Sequence, residues 1–477
     1  MTSLTDTRES VAPDDAQSRC TARDRLEVLC DEGSFCEIRS SVVPVSPGAA
    51  AQRSDGLVTG FGQVHGKPVA CYAQDASFLG GSVGTVQADS ICRVLELAER
   101  ARAPVISFVE SGGARIHEGT AALSGFGKVF RRTARLNSVA PQVSIITGTS
   151  AGGGCYSPAL TDVVVMTRAA AMFLTGPKVV REVTGEDVTR KELGGPDLHE
   201  RNGVCQFVVE DDLSAAGLVR DLLAYLPQHF GAKPPRRSHG ADPTSARPDE
   251  HVAHNPRKVY DIRDVIDGIA DAGSVLEMEP RWARNIATGL ARIDGRPVGI
   301  VANQPRYLGG VLDAESSQKG ARFVALCDRC GIPLVVLVDT PGFAPGVVQE
   351  RAGVIRFGAS LIRAFATATV PKVTVIVRKA YGGAFITMNS KELGADFVFA
   401  WPKAEIGVMG AAAAVGIIHR RELAAAPERS MRLEQFADAY RKEHLGADVA
   451  AAGGFIDEVI QPSETRSRIA QALEALG

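Results

Sequence analysis

One stretch of this chain occurs twice, and the repeat constrains the fold more than any other feature. TGFGQVHGKPVACYAQDASFLGG, from Thr59 to Gly81, aligns without a gap on TGLARIDGRPVGIVANQPRYLGG, from Thr288 to Gly310, at an offset of 229 residues. Thr59, Gly60, Gly66, Pro68, Val69, Ala73, Leu79, Gly80 and Gly81 recur as Thr288, Gly289, Gly295, Pro297, Val298, Ala302, Leu308, Gly309 and Gly310. The offset carries on to Pro104 against Pro333 and Gly113 against Gly342. One residue further in offset, Pro141 meets Pro371, and Ala151 to Gly154 meets Tyr381 to Ala384. Two copies of one backbone plan predict two related domains and a matched pair of pockets.

A chain of 477 residues is too long for one ordinary core, which agrees with two domains. With 45% hydrophobic and 23% charged residues it is globular. A formal net charge of −2 and no long basic run give nucleic-acid binding little electrostatic support. Apolar runs such as PLVVLV from Pro333 fall far short of the ~20 residues of a membrane span. The opening MTSLTDTRESVAPDD is polar, with no signal-peptide pattern, and residues 1–20 are expected to be disordered. The nine cysteines are odd in number and singly scattered, which predicts reduced thiols and a cytoplasmic protein. Cys327 and Cys330 form a lone CxxC with no second pair, so core packing and no metal are expected.

Residues 231–256 lose apolar periodicity and collect Pro, Gly, Ser and charge, the signature of a linker between domains at 21–230 and 257–477. Each domain then runs through one order of elements. A strand pair turns at HGK or DGR, a helical stretch comes next, and a continuous apolar strand (PVISFVE or PLVVLVD) reads as buried on both faces. A Gly-rich turn, a second helix, a second buried strand (PQVSIITG or PKVTVIV) and a second Gly-rich turn complete the unit. Successive β-then-α units make an α/β fold.

The Gly-rich turns carry the candidate chemistry. A glycine turn between buried strand and helix can expose backbone N–H groups, and two of these converging on one oxygen make an oxyanion hole. The candidates are Gly112, Gly113, Ala114 with Gly152, Gly153, Gly154 in the first half, and Gly342, Phe343 with Gly382, Gly383, Ala384 in the second. Gly148 to Gly152 also fits the G-x-S-x-G nucleophile elbow, which would make Ser150 a hydrolase nucleophile. Its repeat-mate is Ala380, so the halves share a backbone here and not a hydroxyl. Glu110 and Asp339 end equivalent strands and are expected to cap the turns just after them. There is no GxxxxGK[ST] phosphate loop and no AMKM-type biotin attachment sequence, so the chain neither spends ATP by such a loop nor carries its own biotin.

SGGARIHEG (Ser111 to Gly119), AGGGCYSPALTD (Ala151 to Asp162), NQPRYLGGVLD (Asn303 to Asp313), DTPGFAPG (Asp339 to Gly346) and RKAYGGAF (Arg378 to Phe385) together resemble one family. So do TGPKVVREVTGEDVTRKELGG, WPKAEIGVMG and GFIDEVIQPSETR. It is the carboxyltransferase β subunit of biotin-dependent acyl-CoA carboxylases, of the propionyl-CoA carboxylase type, and the likeness runs from about residue 21 to the end. The resemblance implies two tandem crotonase-like domains, each a spiral of β-β-α units. It implies a homo-hexamer, a trimer of dimers, whose sites form between the N-terminal domain of one subunit and the C-terminal domain of another. It further implies a partner α subunit carrying biotin carboxylase and biotin carrier functions. The N-terminal half would hold acyl-CoA, its thioester polarised by Gly152, Gly153 and Gly154 with Gly112 to Ala114. Gly383 and Ala384, with Gly342, Phe343 and Gly382, would hold the biotin carbonyl.

This chain also departs from the family. Members usually carry a longer N-terminal arm that helps frame the CoA entrance, where this chain has only about twenty polar residues; the resemblance puts Arg23 and Arg25 near the CoA phosphates. Ile386 stands where propionyl-preferring members tend to have Asp, which predicts a broader or longer acyl chain. MGAAAAVGII lacks the usual charged residue after MG. An alternative is decarboxylase or transcarboxylase action on a malonyl-type thioester; a third reading, a ring-building scaffold, conflicts with Gly turns kept in both halves.

Overall fold

The computed structural model describes residues 20–44, 52–245, 247–252, 255 and 258–477. The expected disorder of residues 1–20 lies, apart from Cys20, outside these. The first half opens with α1 (Ala22–Leu29) and β1 (Cys36–Ile38), then the hairpin β2 (Leu57–Val64) and β3 (Lys67–Gln74). Two β-α steps come after it: α2 (Thr85–Ala101) into β4 (Val105–Ser111), and α3 (Thr120–Leu136) into β5 (Gln142–Ala151). Next come α4 (Gly153–Ala159), β6 (Val163–Thr167), β7 (Ala171–Phe173), the short helices α5 (Pro177–Thr184), α6 (Arg190–Gly194) and α7 (Pro196–His199), β8 (Phe207–Val209) and α8 (Asp212–Leu223).

The second half repeats the series: α9 (Ile262–Asp267), β9 (Leu276–Met278), β10 (Ile286–Ile293), β11 (Arg296–Asn303), α10 (Ala314–Arg329) and β12 (Leu334–Thr340). After α11 (Val347–Ala352) and α12 (Val354–Thr367) come β13 (Lys372–Tyr381), α13 (Gly382–Thr387), β14 (Phe397–Ala400) and β15 (Glu405–Gly407). The main divergence is an insertion of α14 (Ala411–Ile418), α15 (Arg420–Ala425), α16 (Arg429–Tyr440) and α17 (Ala447–Ala452) before β16 (Glu458–Val459) and α18 (Thr465–Ala475).

Each half builds one eight-stranded sheet, in the order β1-β2-β3-β4-β5-β6-β8 with β7 on β5, and β9-β10-β11-β12-β13-β14-β16 with β15 on β13. The hairpins and the opening pairs β1–β2 and β9–β10 are antiparallel, and from β3 and β11 onward the pairing is parallel, as continuous apolar strands with helical crossovers require. Both hairpin turns place two residues at positive φ, His65 and Gly66 at 53° and 71°, Asp294 and Gly295 at 52° and 73°, the turn that matches strand twist. This is the crotonase-like α/β fold, twice over.

The halves share one apolar core cluster that runs from Ile106, Val143 and Phe207 through Met278 and Trp282 to Leu334 and Phe365. Cys327 and Cys330 are fully buried in it, so the CxxC packs the core. Polar ties cross the junction as well: the Gln206 amide donates to Glu279 Oε1 at 2.8 Å and Arg322 donates to the Gly203 carbonyl at 2.9 Å. The stretch after residue 231 is no free tether. Arg237 N–H donates to the Gly295 carbonyl and Thr244 N–H to that of Asp267, strapping it along the second half.

Candidate active site

The site begins with a defect in strand pairing that both halves share. β4 and β5 run in register to Val109 against Ile146 and resume at Ser111 against Ser150, leaving Thr147, Gly148 and Thr149 opposite Glu110 alone. β12 and β13 do the same, with Val377, Arg378 and Lys379 opposite Asp339. A bulge of this kind bends the longer strand and re-aims the segment beyond it, which in both halves is the glycine turn. Gly152 and Gly382 sit at φ 56° and 59°, a conformation only glycine adopts freely, and the chain swings there into α4 and α13.

Counting donors narrows the expected holes. In the first half the Gly112 N–H goes to the Gly80 carbonyl at 2.8 Å, Gly113 to Ser111 Oγ at 3.2 Å and Gly152 to the Phe173 carbonyl at 3.1 Å. Those three N–H groups are consumed by the turns, so they shape the hole and do not line it. Ala114 bridges Val83 through its neighbours, leaving its own N–H without a protein acceptor among the described residues. Gly153 and Gly154 open a helix, where no intrahelical acceptor exists. In the second half Gly342 donates to Thr340 Oγ1 at 3.3 Å, while Phe343 holds the place of Ala114 in a bridge to Leu312. Gly383 and Ala384 lie in the first turn of α13, again without intrahelical acceptors. The donor sets are therefore Ala114 with Gly153 and Gly154, and Phe343 with Gly383 and Ala384. Both helices are short, so these N–H groups matter more than any helix dipole.

Ser150 is no nucleophile. Its hydroxyl is buried and donates to the Gly154 carbonyl at 2.8 Å, where it fixes the turn. The side chains seen to accept from the turns stand one residue later: Ser111 Oγ takes the Gly113 N–H and Thr340 Oγ1 that of Gly342. Asp339, 0% exposed, accepts from the Tyr260 hydroxyl and from Arg378 Nε, both at 2.9 Å, and Lys379 Nζ stands 3.8 Å away. Burial pushes the Asp339 carboxyl up, and the Arg378 and Lys379 charges oppose that shift. Glu110 faces Arg25, whose Nη2 lies 3.3 Å from its Oε2.

The expected contact of Arg25 with CoA phosphates fails on burial. The side chain is 5% exposed, and Nε is also bound to Asp212 at 2.8 Å. Arg23, half-exposed, pairs with Glu37 and Glu27. Ile386 is 48% exposed on α13, two residues beyond Ala384, so its side chain is available to a substrate. The sequence offered one unused signal for the buried acid: the RKAYGGAF motif places two cations one turn before the second donor set. Among the described residues no group of three His, Cys, Asp or Glu could hold a metal ion, and no helix is long and apolar enough to cross a membrane.

The carboxyl transferase domain profile matches residues 13–477. The propionyl-CoA carboxylase carboxyltransferase subunit of Haloferax mediterranei is 45% identical over 476 residues, covering 98% of this chain and 92% of that protein. The methylmalonyl-CoA decarboxylase subunit alpha of Propionigenium modestum is 43% identical, over 97% of this chain and 91% of that one. A solved structure of transcarboxylase 12S, a hexamer with methylmalonyl-coenzyme A and methylmalonic acid bound, superimposes with a TM-score of 0.92 at 44% identity, covering 96% of this chain and 89% of that one.

Proposed function

Since the chain belongs to the carboxyl transferase family, we propose that its two donor sets hold the two oxygens of one carboxyl transfer, the thioester oxygen of an acyl-CoA and the ureido oxygen of biotin. The chain is an acyl-CoA carboxyltransferase of the propionyl-CoA carboxylase type. Residues 21–230 form the acyl-CoA half, 257–477 the biotin half, and 231–256 join them. Carboxybiotin, brought by a separate α subunit, is the second substrate; it supplies the CO2 and a nitrogen that takes up the proton from the acyl α-carbon. The N–H groups of Ala114, Gly153 and Gly154 hold the thioester oxygen as the enolate develops, and those of Phe343, Gly383 and Ala384 hold the ureido oxygen. Each such donor contributes roughly 3 kcal/mol to a developing oxyanion. The unpaired N–H groups fit a flat carbonyl acceptor, and Gly383 leaves the approach open, its nearest neighbour being the Phe343 ring edge at 4.0 Å from a Cβ placed there.

The single observation that carries this reading is the paired donor sets: each half ties up the N–H of Gly113 or Gly342 within its own turn and leaves Ala114, Gly153 and Gly154, or Phe343, Gly383 and Ala384, as donors. The hexameric assembly and bound methylmalonyl-coenzyme A of the transcarboxylase 12S structure support a homo-hexamer acting on an acyl-CoA; sites shared between subunits and a cytoplasmic setting complete the proposal. Ile386 favours acyl chains longer than propionyl. The decarboxylase relative keeps a second reading in view, in which a malonyl-type thioester loses CO2 at the same site. The test mixes the chain with a biotinylated α subunit, ATP, bicarbonate and a panel of acyl-CoAs. Product that requires the partner supports carboxylation, and CO2 release from malonyl-type thioesters without biotin supports decarboxylation. Gly383→Pro removes one biotin-side N–H at a helix start that tolerates proline, and turnover should fall by about 10²-fold or more with acyl-CoA binding retained. Near-wild-type turnover in that variant sinks the assignment.

A further inference from the structure

Two carboxylates sit directly beneath two sites built to hold negative charge. That arrangement is self-defeating unless each is cancelled. We propose that Glu110 and Asp339 set the spacing of the donor turns by filling the strand bulges, and that Arg25 and Arg378 neutralise them so that the holes keep their attraction for an oxyanion. The proposal rests on the carboxyltransferase reading and deepens it.

The strand bulges fix where the acids lie. Each acid is the one residue that faces three on the neighbouring strand, and each strand of the pair leads within a few residues to one member of a donor set. The carboxylate occupies the gap. A Cβ placed on Gly148, the middle bulge residue, would lie 2.1 Å from Glu110 Oε1, so the Glu110 head group lies against that backbone. In the second half the middle bulge residue is Arg378, and its Nε reaches back to Asp339 Oδ2 at 2.9 Å. In both cases strand separation below the turn is set by a carboxylate.

The charge of these acids constrains them as well. A buried negative charge near the turns opposes the very charge the N–H groups stabilise, and a low-dielectric interior screens it poorly. The halves cancel it from different elements. Glu110 is met by Arg25 of α1, which Asp212 of α8 orients. Asp339 is met by Arg378 and Lys379 from the bulge itself, with the Tyr260 hydroxyl as a third partner. Two unrelated solutions to one electrostatic problem indicate that a cation held against each acid, and not a particular ion pair, is the requirement. Neither acid has to touch substrate, so both are positioning residues.

The test compares single and double substitutions in the assembled enzyme with its partner, monitoring kcat, acyl-CoA KM, melting temperature and oligomer size. Arg378→Met strands the Asp339 charge, and kcat should fall about 100-fold with acyl-CoA KM within about twofold. Asp339→Asn in the same chain removes the stranded charge, and kcat should return to within about tenfold of wild type. Arg25→Met and its Glu110→Gln double should show the same pattern. If the ion pairs only hold the fold, each double will be as slow as its single, whatever its melting temperature, and the proposal falls. Should Arg378→Met not assemble, Asp339→Asn alone decides: kcat within about threefold supports charge cancellation, and a 100-fold loss overturns it. A wild-type enzyme inactive on every acyl-CoA would instead count against the carboxyltransferase reading.

Discussion

The two halves agree in backbone and disagree in side chains, and the disagreements come in compensating sets. Behind the first donor set Ser150 sends its hydroxyl to the Gly154 carbonyl, and a Cβ on Gly154 would lie 3.1 Å from both Ser150 Oγ and Ser111 Cβ. The second half has Ala380 and Ala384 at those positions: it deletes the hydroxyl and gains the methyl. A second set ties the segment after the opening strand to the first crossover helix. Arg39, after β1, donates through Nε to Ser90 on α2 at 2.9 Å. At the matching positions Lys319 on α10 donates to the carbonyls of Glu279, Trp282 and Ile286 at 2.9, 3.0 and 2.9 Å. Arg39 and Glu279 even share a positive φ, 59° and 53°. What duplication has held fixed is the path of the chain and the direction of its N–H groups; the means of holding them has drifted.

The largest expected contrast lies at that tie. Burial pushes the Lys319 ammonium down to about 8, yet three carbonyls keep it bonded. Lys319→Met should cost about 3–5 kcal/mol of unfolding free energy, against about 1 kcal/mol for Arg39→Met, measured by denaturant titration. Equal losses would mean the halves are tied alike after all. Next comes the turn. Gly154→Ala should destabilise by about 1–3 kcal/mol through overpacking, and adding Ser150→Ala, which copies the second half, should recover most of it. A double variant no better than the single breaks the idea of compensation. The smallest effect is on specificity. Tyr156 and Ile386 occupy the same place on α4 and α13, 51% and 48% exposed. Ile386→Asp should favour propionyl-CoA over longer chains by about tenfold in kcat/KM, whereas Tyr156→Asp should leave that ratio unchanged; two equal shifts would mean that Ile386 is not what singles out chain length.

Much of this was legible in the sequence because glycines recur wherever the backbone does something only glycine tolerates. Gly81 and Gly310 are an example. Both have positive φ, and a Cβ on either would strike the carbonyl of Glu110 or Asp339 at 2.0 or 2.5 Å. Repetition of such residues exposes the shared turn and, with it, the shared site. The donor count was less legible, since Gly112, Gly113 and Gly152 differ from Gly153 and Gly154 only in what stands across from them. Arg25 was misread for a related reason: a cation near an expected CoA entrance looks like a phosphate ligand until Asp212, 187 residues away in sequence, turns it inward. Partners brought together by tertiary packing leave no local pattern to read.

The reversed tie between opening segment and helix bears on how such a chain avoids folding into itself wrongly. Tandem copies of one topology invite the strands of one copy to dock on the helices of the other. Here a helix from the second half, laid on the first opening segment, would bring the Lys319 ammonium against the Arg39 guanidinium. A helix from the first half, laid on the second opening segment, would offer only the Ser90 hydroxyl to three carbonyls that Lys319 now serves. The drift between the copies thus sets each opening segment against the wrong helix and in favour of its own.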